Sequence, residues 1–181
     1  MEMKPRVPIQ REIQDKLKTK QKVEKNKETV RPTVINDELM SEYMVQYNRE
    51  NKIFDDDDRE IWELTHLSLS FKNIVEIDNL MGMDHLMKLQ LDNNIITNIS
   101  GLDSLSKLKW LDLSFNMIDE IKGLENLREL EDLSLFSNRI VQLKGLDNLE
   151  KLNVLSVGSN EISNLEESVR YLRKLQVRNN L

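Results

Sequence analysis

From Leu108 to Glu129 the chain reads LKWLDLSFNMIDEIKGLENLRE, with apolar residues at positions 1, 4, 6, 11, 14, 17 and 20 of a 22-residue unit. The same spacing begins at Leu64, Leu86, Leu130 and Leu152, so five units stand in register. Within each unit the stretch L-x-x-L-x-L alternates apolar and polar residues, which predicts a short strand with one buried face. Position 9 is Asn94, Asn116, Asn138 and Asn160, each where the strand must turn away. An Asn amide can bond backbone groups freed by a turn, and stacking the units would stack those bonds into a ladder.

The later apolar residues, such as Ile118, Ile121, Leu124 and Leu127, are spaced by three. That spacing predicts an irregular or 3₁₀-like return segment in place of a full α-helix. One unit is therefore one turn of a coil, and it can bury its apolar side only against its neighbours. This pattern resembles the leucine-rich-repeat signature, and Ile at positions 11 and 14 resembles its 22-residue intracellular subclass. The resemblance implies an α/β fold: a right-handed solenoid with one short parallel strand per repeat, preceded by a capping helix and an extended polar tail.

Three segments follow along the chain: a charged tail at 1–33, an amphipathic helix and N-terminal cap at 34–63, and repeats at 64–181. The tail holds the three prolines, and through Arg31 it carries ten Lys and Arg against five Asp and Glu. Its composition predicts a solvated arm, the alternative being one that binds an acidic surface. In VINDELMSEYMVQYNRE, Asn36 or Asp37 can cap a helix whose Leu39, Met40, Tyr43, Met44 and Tyr47 share one side and dock on the solenoid. The run Asp55 to Asp58 reads as a solvated cap of a short helix REIWEL, since carboxylates favour a helix N-terminus. Trp62 and Ile61 would then cover the open end of the first repeat.

The first and last units depart from the pattern. Lys72 stands where the ladder Asn is expected, and Met81, Met83 and Met87 enter the first repeat. After Leu165 comes EESVRYL, so a truncated sixth unit, LRKLQVRNNL, starts at Leu172 two residues early, with a strand and Asn180 as its ladder residue. That reading leaves an apolar end uncovered.

Composition narrows the function. A net charge of −6 with 39% hydrophobic residues fits a soluble domain with a polar extension. No run approaches the roughly 20 apolar residues of a membrane span, the first residues lack a secretory apolar core, and the chain has no cysteine. These point to an intracellular, reducing compartment. No phosphate-binding glycine loop, thiolate or Gly-x-Ser-x-Gly elbow occurs, and the two histidines, His66 and His85, lack metal-ligand partners at suitable spacing. No catalytic, cofactor or metal residues are therefore assigned, and no enzyme activity, nucleic acid, membrane or small-molecule substrate is expected.

Binding is the remaining chemistry. Alternation sends positions 4 and 6 inward and positions 3, 5, 7 and 8 outward onto the concave sheet. The candidate partner-binding residues are His66, Lys88, Asp92, Trp110, Asp112, Asp132 and Phe136. Trp110 and Phe136 lie on adjacent repeats beside Asp112 and Asp132, and aromatics beside carboxylates are the anchor and rim of many protein interfaces. Phe71 and Phe115 either share that face or fold into the turn as core. A carbohydrate or peptide cleft stays open as an alternative ligand.

The runs LSLSFKNIVEIDNL, KLQLDNNIITNISGLDSL, WLDLSFNMIDEIKGLENL and LEDLSLFSNRI, with VINDELM before them and Lys72 in place of Asn, resemble a narrower family. They are similar to the subunit 3 family of the nexin–dynein regulatory complex, leucine-rich-repeat proteins of motile cilia, over residues 33–165. The resemblance implies a non-enzymatic scaffold on the axonemal doublet microtubule, within the cytoskeleton of the cilium. Its partners would be the complex's coiled-coil subunits, with dynein and tubulin as further candidates. Two other readings are a regulatory subunit holding a protein phosphatase or kinase and a light chain that binds a dynein motor domain.

Overall fold

The computed structural model describes residues 32–50 and 61–179, the last four of these through their backbone alone. The tail up to Arg31, the aspartates at 55–58 and Asn180 lie outside the described residues. Helix α1 spans Asp37–Glu50 and a single 3₁₀ turn spans Ile61–Glu63. Five three-residue strands follow: β1 (His66–Ser68), β2 (Lys88–Gln90), β3 (Trp110–Asp112), β4 (Asp132–Ser134) and β5 (Val154–Ser156). Helix α2, Leu165–Asn179, ends the described chain.

The strands form one parallel sheet in the order β1-β2-β3-β4-β5. Each residue pairs with the one 22 positions later, as in Leu67 with Leu89 and Leu89 with Leu111. Identical repeat lengths leave no other register. The apolar positions of the first four units, from Leu64 to Leu149, are all buried in one continuous core. Full burial of a Leu or Ile side chain contributes about 1.5–3 kcal/mol against leaving it in water, so the stack is held chiefly by these layers.

The return segments realise the three-residue spacing through successive bonds to the third residue before, as in Leu127 N to the Leu124 carbonyl and Leu130 N to the Leu127 carbonyl, both 3.0 Å. None of the return segments of the first four repeats forms a helix.

The asparagines tie each repeat to the one before. Asn116 accepts from Ile96 N at 3.0 Å and donates to the carbonyls of Leu91 at 3.0 Å and Leu113 at 3.1 Å. Asn94, Asn138 and Asn160 repeat this arrangement one turn apart. Lys72 carries no such side chain because no earlier repeat exists to be bonded, and its backbone N donates to Asn94 at 2.9 Å instead.

Both ends are covered by helices. Asn36 caps α1, its side-chain oxygen accepting from Leu39 N at 2.9 Å. Leu39 and Met40 are buried, and Tyr43, Met44 and Tyr47 pack against the core. Thr33, which composition assigns to the tail, bridges in parallel to Ile74. Ile61 packs on the core, and half-exposed Trp62 lies over Gly82 of the first repeat.

The C-terminal end differs from the sequence expectation. There is no sixth strand at Leu172, so the described residues provide no sixth rung for Asn180 to join. The segment is helix α2, capped by Asn164, which accepts from Glu167 N at 3.0 Å while Glu167 accepts from the Asn164 side chain at 3.2 Å. Glu166 and Glu167 occupy its first turn, and Tyr171, Leu172 and Leu175 pack against the core at helical spacing. The Tyr171 hydroxyl accepts from Leu146 N at 2.8 Å and donates to Asp147 at 2.9 Å. A helix therefore covers the fourth and fifth repeats where an open end was expected.

Candidate functional site

The strands present alternate residues outward, and the outer face is built from three rows. Position 3 contributes His66, Lys88, Trp110, Asp132 and Val154, which stand in register across β1 to β5. The Lys88 amine lies 4.2 Å from the Trp110 ring centroid, a cation–π contact on neighbouring strands. On the next strand Asp132 is half-buried, and its side chain makes no hydrogen bond or ion pair with a described residue. Its neighbour Glu131 is engaged by Lys109 at 3.2 Å. The face thus sets a cation, an indole and an unpaired carboxylate side by side.

Position 5 contributes Ser68, Gln90, Asp112, Ser134 and Ser156, mostly short side chains. Asp112 accepts from Ser114 N at 2.9 Å and from the Ser114 hydroxyl, so its charge is directed along its own strand.

At position 7 Asp92 is only 8% exposed and accepts from the Ser70 hydroxyl and from the Asn93 amide at 2.6 Å. Burial alone would raise the Asp92 pKa, but hydrogen bonds from Ser70, Asn93 and Gln90 together outweigh it and hold the carboxyl below its ordinary value. Asp92 is a turn-locking group and offers no free charge to a partner. Ser114 is buried in the same way. In the fourth repeat the position holds Phe136, half-buried and in edge contact with Phe115, with ring centroids 5.6 Å apart.

Position 8 was not legible as a special site. Phe71, Asn93, Phe115, Ser137 and Ser159 all have φ between 54° and 58°. The left-handed turn aims the chain out of the strand while the ladder continues, Phe115 N donating to the Phe136 carbonyl at 2.9 Å and Asn93 N to the Ser114 carbonyl at 3.0 Å. Asn and Ser at three of the five positions carried the signal; the two phenylalanines obscured it. A bulky residue in this region costs about 1–2 kcal/mol. Phe71 and Phe115 are nevertheless not core: Phe71 is 73% exposed and Phe115 is 50% exposed.

His66 is exposed at the edge of the row and contacts the Thr65 hydroxyl at 2.9 Å. Among the described residues no group of three or more His, Cys, Asp or Glu side chains could hold a metal ion, and no helix is long and apolar enough to cross a membrane. The face has the chemistry of an adhesive surface, with exposed aromatics, one free carboxylate and a fixed hydrogen-bonded frame beneath them.

Residues 84–140 match the leucine rich repeat family. The chain has no match among curated proteins. Among solved structures it is similar to a chain of the Drosophila melanogaster SNF/U2A′ complex, with 25% identity over 81% of this chain and 80% of that one and a TM-score of 0.60. It is similar to internalin C2 of Listeria monocytogenes, with 30% identity over 59% of this chain and 47% of that one and a TM-score of 0.53. Internalin inlF of the same organism shares the fold, at 24% identity over 70% of this chain and 44% of that one, with a TM-score of 0.52. The chain spans less than half the length of the two internalins. The fold is a leucine-rich-repeat solenoid, an architecture typical of protein–protein interaction scaffolds and compatible with many partners.

Proposed function

We propose that this chain is a non-enzymatic scaffold that docks a partner protein on the outer face of its sheet, as a component of the nexin–dynein regulatory complex on axonemal doublet microtubules. The observation that carries the docking role is the Lys88–Trp110–Asp132 row, where an indole held by a cation adjoins a carboxylate without a partner among the described residues. Such a group gains from a basic or hydrogen-bonding residue brought by another protein. The axonemal assignment is supported by the sequence resemblance over residues 33–165, Lys72 and VINDELM included. The Drosophila relative, solved as a complex, supports the general role.

The test is affinity capture of the tagged full-length protein from ciliated cells and purified axonemes, followed by a salt wash and mass spectrometry. Recovery of axonemal coiled-coil subunits with dynein regulators is expected, and the Trp110→Ala, Phe136→Ala double variant should lose them. Loss of a central anchor typically costs about 2 kcal/mol or more, roughly thirtyfold in affinity. A single soluble phosphatase or kinase in their place would overturn the axonemal reading. Undiminished capture by the double variant would overturn the docking face.

A further inference from the structure

We infer that the occupant of this face is a single amphipathic α-helix lying across the strands, with its apolar side chains against Trp110 and the phenylalanine rings and a basic residue over Asp132. The inference rests on the docking role proposed above and adds the conformation and chemistry of the partner.

One raised row is at position 3, where Trp110, Asp132 and Val154 stand on consecutive strands. The other is the aromatic row of Phe71, Phe115 and Phe136 at the turn. Between them Ser68, Gln90, Asp112, Ser134 and Ser156 form a polar floor. Phe136 at position 7 is four residues from the position-3 row, about 13 Å at 3.3 Å per extended residue, with Phe71 and Phe115 one residue further along, in the turn. An α-helix with its side chains is about 10–12 Å across. The floor runs across five strands, about 19 Å at a spacing of 4.8 Å, which matches a helix of about 13 residues.

The backbone argues against an extended occupant. β2, β3 and β4 are each paired on both sides, so a peptide laid over them finds no free strand edge and would leave its own amides unpaired. A helix satisfies its backbone internally. The aromatic spacing fits as well. Phe71 and Phe115 hold the same position two repeats apart, about 10 Å by strand spacing, and residues seven apart on a helix are separated by about 10.5 Å. Both rings stand in left-handed turns where Asn93, Ser137 and Ser159 show that small polar residues serve the fold. At 73% exposed and in a conformation that disfavours a bulky residue, the Phe71 ring contributes little to the solenoid, so its return lies in a contact outside the chain.

The charge pattern selects the helix further. The unpaired Asp132 sits beside Trp110, and Lys88 is occupied by the indole. A Lys or Arg on the flank of the helix, next to its apolar stripe, completes the row.

The test places the photo-cross-linking residue p-benzoylphenylalanine at Phe71 and, separately, at Phe115 in the full-length chain, which keeps an aromatic ring at each site. After irradiation in extracts of ciliated cells, the cross-linked partner residues are located by mass spectrometry. The expected result is two sites six to eight residues apart in one segment, and a synthetic peptide of that segment should gain helical circular dichroism when the chain is added. Sites about three residues apart, the extended spacing, sites on separate segments, a peptide that gains no helicity, or no cross-link from either position would each overturn the helix. The docking reading is judged separately, by whether the Trp110→Ala, Phe136→Ala variant still captures its partner.

Discussion

The Phe136 ring lies directly over Gly158 of the next repeat: a Cβ built on Gly158 would stand 3.0 Å from its Cε2 and 3.1 Å from its Cδ2. The glycine is a seat for the aromatic and fixes the ring against Phe115. Gly158→Ala should therefore shift Phe136 and weaken partner capture severalfold, while at this exposed position changing stability by less than about 1 kcal/mol. Gly123→Ala should do the reverse. Its φ is 72° and a Cβ would strike the Ile99 carbonyl of the preceding repeat, so a loss of at least about 2 kcal/mol is expected. Urea denaturation and capture, measured on both variants, separate the two effects; equal stability losses would contradict the assignment.

The ladder predicts a graded response. Asn116→Ala leaves the buried Ile96 amide and the Leu91 carbonyl without their side-chain partner, so a loss of about 3 kcal/mol is expected. Asn160 makes corresponding bonds in a more exposed setting at the fifth repeat, where water can replace them. Asn160→Ala should cost about 1 kcal/mol. Denaturation midpoints at constant slope would show the difference.

Phe71→Asn should stabilise the chain by up to about 1 kcal/mol, because Asn tolerates the left-handed turn that Phe71 occupies at φ 58° and the ring, 73% exposed, contributes little burial. The same variant should bind its partner less tightly. A stability loss in thermal unfolding would show that the ring supports the fold after all.

Asp92 imposes a pH dependence with a definite sign. Its carboxyl titrates below its unfolded-state value, so the folded state favours the anion. The resulting stabilisation is complete above the ordinary aspartate pKa of about 3.9 and is lost as pH falls through the lower folded value. Asp92→Asn should therefore flatten the decline in stability below about pH 4 relative to the parent chain. Chemical denaturation at several pH values between neutrality and that range provides the check, and parallel curves would refute it.

Much of this architecture was legible because it is periodic. The register of the sheet, the core from Leu64 to Leu149 and the positions of Asn94, Asn116, Asn138 and Asn160 follow from a 22-residue count. The C-terminal helix misled that count. LRKLQV satisfies the strand pattern letter by letter, yet Leu172 and Leu175 also sit at helical spacing, and Asn164 with Glu167 forms a capping pair. A helix that buries those leucines on the fourth and fifth repeats wins over a strand whose outer side would be bare.

The outer face shows the same division. Trp110 and Asp132 could be placed outward from alternation, whereas Asp92 could not be told from them until its bonds to Ser70 and Asn93 were seen. The sequence by itself determined the repeat, its register and its buried layers, because each depends on local alternation repeated at one period. Only the tertiary structure decided which outward positions are free, which turns are left-handed and how the end is closed. Those outcomes depend on contacts between repeats, where a neighbouring hydroxyl, carbonyl or missing Cβ determines where a side chain can go.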